Sequence, residues 1–226
     1  MSYSPPEPET LSADSTLHSG LLRLLPVREI VALQDASTAA WHGERVNLEL
    51  ANVASYPAVL DLHRANFDLW HIEDQARNPG ASDREVADTK RAIDRTNQRR
   101  NDLAEQCDVL LLSELETHGL PAEKAELHSE SPGLMLDRLS ILALKIYHTR
   151  EEIERGDAPA GHAERNRSRL ALLESQRGDL ADCLDVLWRR VVSGERRFKI
   201  YRQLKMYNDP SLNPAVYLRK GSDSEQ

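Results

Sequence analysis

The chain has 226 residues, of which 40% are hydrophobic, only 5% aromatic and 29% charged, with a formal net charge of −8. That length and apolar share suit one domain with a real core, and the abundance of straight-chain residues over β-branched runs excludes an extended sheet. The acidic balance excludes nucleic acid as a partner: the basic groups Arg95/Arg99/Arg100, Arg189/Arg190 and Arg196/Arg197 are short, interleaved with acids, and read as solvated helix faces.

Taken in chain order, residues 1–14 hold three of the eleven prolines among Ser and Glu and form an expected disordered tail. Pro26 opens a first helix on Val27, Ile30, Val31 and Leu33 that ends at Gly43. A second begins near Pro57 and runs to Arg77, where Asn78-Pro79-Gly80 breaks it. Ser82-Asp83-Arg84-Glu85 is a capping box for a third helix. No Gly or Pro follows until Gly119, so this helix is expected to run about 36 residues, on the order of 54 Å.

One short helical turn is expected between His118 and Glu130. Ser131-Pro132 then serves as N-cap and first residue of a fourth helix ending at Gly156. A fifth runs from His162 towards Ser193, with a bend expected at Gly178, and a sixth from Glu195 to Met206. The fold class is therefore all-α: an antiparallel bundle of five to six helices with one long central helix. A single domain over 15–208 precedes a polar C-terminal tail, 209–226.

No apolar run approaches the ~20 residues of a membrane span, and the N-terminus has neither a basic start nor a hydrophobic stretch. No membrane insertion and a cytoplasmic location are expected, and a homodimer is compatible with the pattern. Cys107 and Cys183 sit inside helical patterns among apolar neighbours and are expected to be buried thiols.

The informative feature is a band of polar residues. In the second helix Leu62, Ala65, Leu69, Ile72 and Ala76 form the inward stripe. One residue round, the face reads His63, Asn66, Trp70, Glu73 and Arg77. In the third helix the seam is Val86, Thr89, Ile93, Thr96, Leu103, Cys107 and Leu110, and the neighbouring face is Lys90, Asp94, Asn97, Asn101 and Asp108. Asn and Asp lower helicity by roughly 0.6 kcal/mol each relative to Ala, so an interior run of them calls for a reason.

Counting back from the short connection places Asn66 near Asp94 and His63 near Asn97, with Arg138, Lys145 and His148 of the fourth helix alongside. A cleft with this lining suits a small anionic ligand, or a divalent ion such as Mg²⁺ held by oxygen donors. The expected roles are Glu73 and Asp94 for the cation; Arg138 and Lys145 for the anion; Asn66, Asn97 and Asn101 for orientation; Trp70 for stacking; and His63, Asp94 and His148 for acid–base work. The other reading of the same band is a buried network that only sets helix register.

The sequence contains no Cys-x-x-Cys, His-Glu-x-x-His, P-loop, Gly-x-Gly-x-x-Gly or Gly-x-Ser-x-Gly motif, and no Glu-x-x-His pair of a di-iron bundle. Segments Leu62–Arg77, Ile93–Asp102, Pro132–Ser140 and Lys205–Pro210 resemble bacterial members of the Domain of Unknown Function 4254 family. The resemblance carries no established catalytic residue. It implies a connection with cell-surface glycans, and so a sugar or nucleotide-sugar ligand for an enzyme, or else a non-catalytic scaffold that docks a partner protein such as a glycan-assembly enzyme.

Overall fold

A computed structural model describes residues 19–45, 57–202, 211–212 and 214. Among them are five long helices: α1 (Val27–Trp41), α2 (Pro57–Gln75), α3 (Asp83–Glu116), α4 (Pro132–Glu154) and α5 (His162–Val192). The expected tails lie outside the described residues, apart from Ser211, Leu212 and Pro214.

The helix starts follow their local chemistry. At α3 the Ser82 amide donates to Glu85 Oε2 at 2.8 Å and Ser82 Oγ accepts from the Glu85 amide at 3.4 Å, which closes the capping box. At α4 Ser131 Oγ accepts from the Leu134 amide, with Pro132 at the first helical position. Asp108 of α3 completes that cap: its carboxylate accepts from Ser131 Oγ at 2.5 Å and from the Gly133 amide at 2.7 Å. Burial pushes the Asp108 carboxyl up to about 6 despite these two donors.

Although α3 is the longest helix, α4 is the one that packs against all four others. Its start crosses α3 so closely that a Cβ on Gly133 would lie 2.2 Å from the Ala104 carbonyl oxygen. The core gathers Ile30, Leu62, Leu115, Leu136, Leu139, Leu184, Trp188 and Phe198, with Trp188 Nε1 donating to the Leu21 carbonyl. Buried positions of α3 begin only at Asn101, so Val86 of the expected seam is 44% exposed; further along, Cys107, Asp108 and Leu111 take the buried face and leave Leu110 49% exposed.

Three expectations are corrected. The sixth helix does not form over its described part: Gly194, at φ +77°, turns the chain, and Arg196–Arg197 (β2) pairs in parallel with Glu126–Leu127 (β1). Residues 203–206 of that expected helix lie outside the described residues. Phe198, just past β2, is buried in the core outside any helix. The second concerns the connection between His118 and Glu130: its short turn is present as a single i→i+3 bond from the Ala125 amide to the Ala122 carbonyl, but it leads into β1, which was not expected. The third is Cys183, which is exposed, whereas Cys107 is buried.

Candidate functional site

The polar face of α2 turns inward, towards α1 and α4. His63 is fully buried. Thr38 Oγ1 donates its one proton to the Gln34 carbonyl at 2.8 Å, so His63 Nε2, which lies 2.8 Å from that carbonyl and 2.9 Å from Thr38 Oγ1, carries a proton. Nδ1 then accepts from Ser140 Oγ at 2.7 Å. Asn66 Nδ2 donates to Ser140 Oγ at 3.0 Å and to Asp137 Oδ1 at 2.8 Å, and Arg100 Nε of α3 lies 3.5 Å from the same Asp137 oxygen.

This chain of contacts joins α1, α2, α3 and α4. Burial lowers His63 to about 4 and so keeps it neutral, while it raises the Asp137 carboxyl against the pull of Arg100 and Asn66. Both nitrogens of His63 are engaged and its ring is shut off from solvent.

On the surface side of this network lies a groove of about 320 Å³. Its polar lining is Asn66, Trp70, Glu73, Asp74, Arg77 and Arg100, over an apolar floor of Leu69, Ile141 and Leu144. Arg77 is partly committed, donating to the Glu73 carbonyl at 2.5 Å and pairing with its carboxylate at 3.1 Å. Arg100 Nε is buried, and its partner is the Asp137 carboxylate at ion-pair distance, 3.5 Å, beyond a well-formed hydrogen bond.

The other expected site residues are placed elsewhere. Asp94 is half exposed and ion-pairs with Lys90 one turn away on α3, not with His63 or Asn66. Asn97 is half-buried and Asn101 buried, and neither lines the groove. Arg138 pairs with Glu130 at 2.6 Å and, with Lys145, faces a separate depression between α4 and α5. The physical reason is azimuthal: α4 packs into the angle between α1, α2 and α3 and takes the contacts of His63 and Asn66 that were expected to reach α3.

His148 lies behind Trp70, whose indole stacks on its imidazole at 4.8 Å and 8°. Two further histidines meet it there: His42, which caps the C-terminus of α1, and His71 of α2. One ring nitrogen of each lies within 4.8 Å of the other two, and this is the group of metal-ligating side chains that the described residues bring together. Glu73 and Asp94, expected as cation ligands, do not belong to it. Burial holds down the charged form of His148, opposed by the Glu151 carboxylate and reinforced by His42 and His71.

The sequence does carry a signal for this triad: each member directly follows an aromatic residue, in Trp41-His42, Trp70-His71 and Tyr147-His148. Periodicity along one helix overlooks it, because the three dipeptides lie on three different elements.

Comparison with known proteins gives one family match. A family model described as a protein of unknown function (DUF4254) matches residues 57–200, from the start of α2 to just past β2. No curated protein and no solved structure matches. With well over half of its length inside that match, the chain belongs to the DUF4254 family.

Proposed function

We propose that the chain binds a small phosphorylated or glycosylated molecule in the groove between α2, α3 and α4. The observation that carries this reading is the origin of the lining. Asn66, Leu69, Trp70, Glu73, Asp74 and Arg77 come from Leu62–Arg77, and Arg100 from Ile93–Asp102, two of the segments that resemble the family.

The chemistry of the lining is consistent with such a ligand. Guanidinium groups present forked donors that match phosphate oxygens, and the lining holds two of them, Arg77 and Arg100. Glu73 and Asp74 supply acceptors for sugar hydroxyls, and Trp70 offers a flat apolar surface for a sugar or base ring. The volume lies at the small end of the usual range for ligand pockets, which favours a compact molecule.

Thermal-shift measurements with sugar phosphates and nucleotide sugars test the reading. A ligand at 100 times its Kd adds about 2.7 kcal/mol to the folded state, or roughly 5–10 °C in Tm for a chain of this size. Arg77→Gln, at an exposed side chain, is expected to abolish the shift, and Arg138→Gln, outside the groove, to leave it intact. Absence of any shift across the panel overturns the reading in favour of the partner-docking scaffold.

A further inference from the structure

The three histidines behind Trp70 have a pattern of contacts that aromatic packing alone does not produce. Each Nδ1 faces a group that accepts a hydrogen bond and has no proton to give. His42 Nδ1 lies 2.8 Å from the Thr38 carbonyl, His71 Nδ1 2.9 Å from the Phe67 carbonyl, and His148 Nδ1 2.6 Å from the Glu151 carboxylate. All three Nδ1 atoms are therefore donors, and in a neutral imidazole that leaves the lone pair on Nε2. This is the arrangement by which carbonyls and carboxylates orient metal-ligating histidines and raise their basicity.

Two of the Nε2 atoms want a partner. Those of His42 and His148 are buried and make no hydrogen bond. A buried acceptor left unpaired bears its full desolvation cost, and two of them beside a third imidazole mark a place built for something that accepts lone pairs. We propose that His42, His71 and His148 bind one divalent transition-metal ion of the zinc class through their Nε2 atoms, on the evidence of convergent imidazoles and orphaned nitrogens.

Geometry and surroundings agree. Ring centroids are separated by 5.2 Å for His42–His71, 5.1 Å for His42–His148 and 5.7 Å for His71–His148. A tetrahedral ion with metal–nitrogen distances of about 2.1 Å sets its ligands about 3.4 Å apart, so nitrogens within 4.8 Å close on it by movements of about an ångström. Each imidazole is braced by an aromatic ring: Tyr147 stacks on His42 at 4.3 Å, Trp70 on His148, and Phe67 lies 4.3 Å from His71.

The donor set decides the metal. Three imidazole nitrogens, with no carboxylate or thiolate in the group, suit Zn²⁺, Co²⁺, Ni²⁺ or Cu²⁺ and not the oxygen-seeking Mg²⁺. Three protein ligands leave one position of a tetrahedral ion for water or another small donor. His42 lies before the family-matched residues 57–200, so the site rests on this chain's own sequence. It shares Trp70 with the groove yet does not depend on it, and either can fail alone.

The test uses the full chain, stripped with chelator and titrated with Zn²⁺ by calorimetry and with Co²⁺ by absorption. One ion per chain is expected, with Kd on the order of micromolar or tighter, and no response to Mg²⁺. His42→Ala, His71→Ala and His148→Ala are each expected to weaken binding at least about 100-fold, and Glu151→Gln by about 10- to 100-fold through loss of its grip on His148. His118→Ala, at an exposed position, leaves affinity unchanged.

Nitrogen NMR of the unmutated protein provides a readout that needs no variant: Zn²⁺ shifts three Nε2 resonances while the matching Nδ1 atoms stay protonated. No saturable Zn²⁺ or Co²⁺ uptake by the stripped chain overturns the proposal. So does unchanged affinity in all three histidine variants, or ligation through Nδ1.

Discussion

His63 gives the sharpest quantitative test of the buried network. Its pKa falls from an ordinary 6.5 to about 4 in the folded chain, so the native state holds it neutral where the unfolded state takes up a proton. The resulting stability is fully present above pH 6.5 and is lost as pH falls towards 4. Over the whole window it amounts to about 3 kcal/mol, and between pH 7 and pH 5 to about 2 kcal/mol.

Asp108 works the other way. Its carboxyl, raised to about 6, binds a proton in the native state before the unfolded state does, which adds about 1 kcal/mol as pH falls over the same range. The unmutated protein alone therefore shows a muted slope, and the comparison with His63→Gln isolates the imidazole. Urea unfolding of both proteins at pH 7 and pH 5 is the assay. At pH 7 the variant is expected to be less stable by about 2 kcal/mol, from lost hydrogen bonds to Ser140 and Gln34. At pH 5 the two converge. A gap that stays constant to within about 0.5 kcal/mol refutes the argument that His63 is held neutral by burial.

Two further outcomes follow from single contacts. Gly133→Ala drives a Cβ to 2.2 Å from the Ala104 carbonyl oxygen, where backbone must move, and is expected to cost about 3 kcal/mol by denaturant unfolding. Asp94→Asn removes only an exposed pair with Lys90 and is expected to change stability by less than about 0.5 kcal/mol and to leave groove binding alone. A larger effect in either measurement would return Asp94 to the site.

The sequence made the helices legible because their ends are written locally. The capping box at Ser82, the Ser131-Pro132 start and the Asn78-Pro79-Gly80 break each use neighbouring atoms, and each falls where it was expected. The pairing of β1 with β2 was not legible, since it joins residues 70 apart through backbone hydrogen bonds and little in Glu126–Leu127 favours a strand.

The site divides in the same way. That His63 and Asn66 share a face with Trp70 and Glu73 follows from the 3.6-residue period. Which helix that face meets does not, because period gives an angle and packing chooses the neighbour. The face was expected to meet Asp94 and instead met Ser140 and Asp137. No single-helix period marks His42 and His71, because their significance lies in convergence from separate helices.

The two-residue bridge between β1 and β2 has a topological effect out of proportion to its size. Arg197 Nε donates to the Ala125 carbonyl at 2.9 Å and the His128 amide to the Arg197 carbonyl at 2.8 Å, so the chain leaving α5 is tied beside the chain entering α4. The α4–α5 hairpin is thereby cinched at its open end into a closed circuit. A hairpin free at that end is the kind of unit two copies of a protein exchange; here exchange would first have to untie the bridge and withdraw Phe198 from the core.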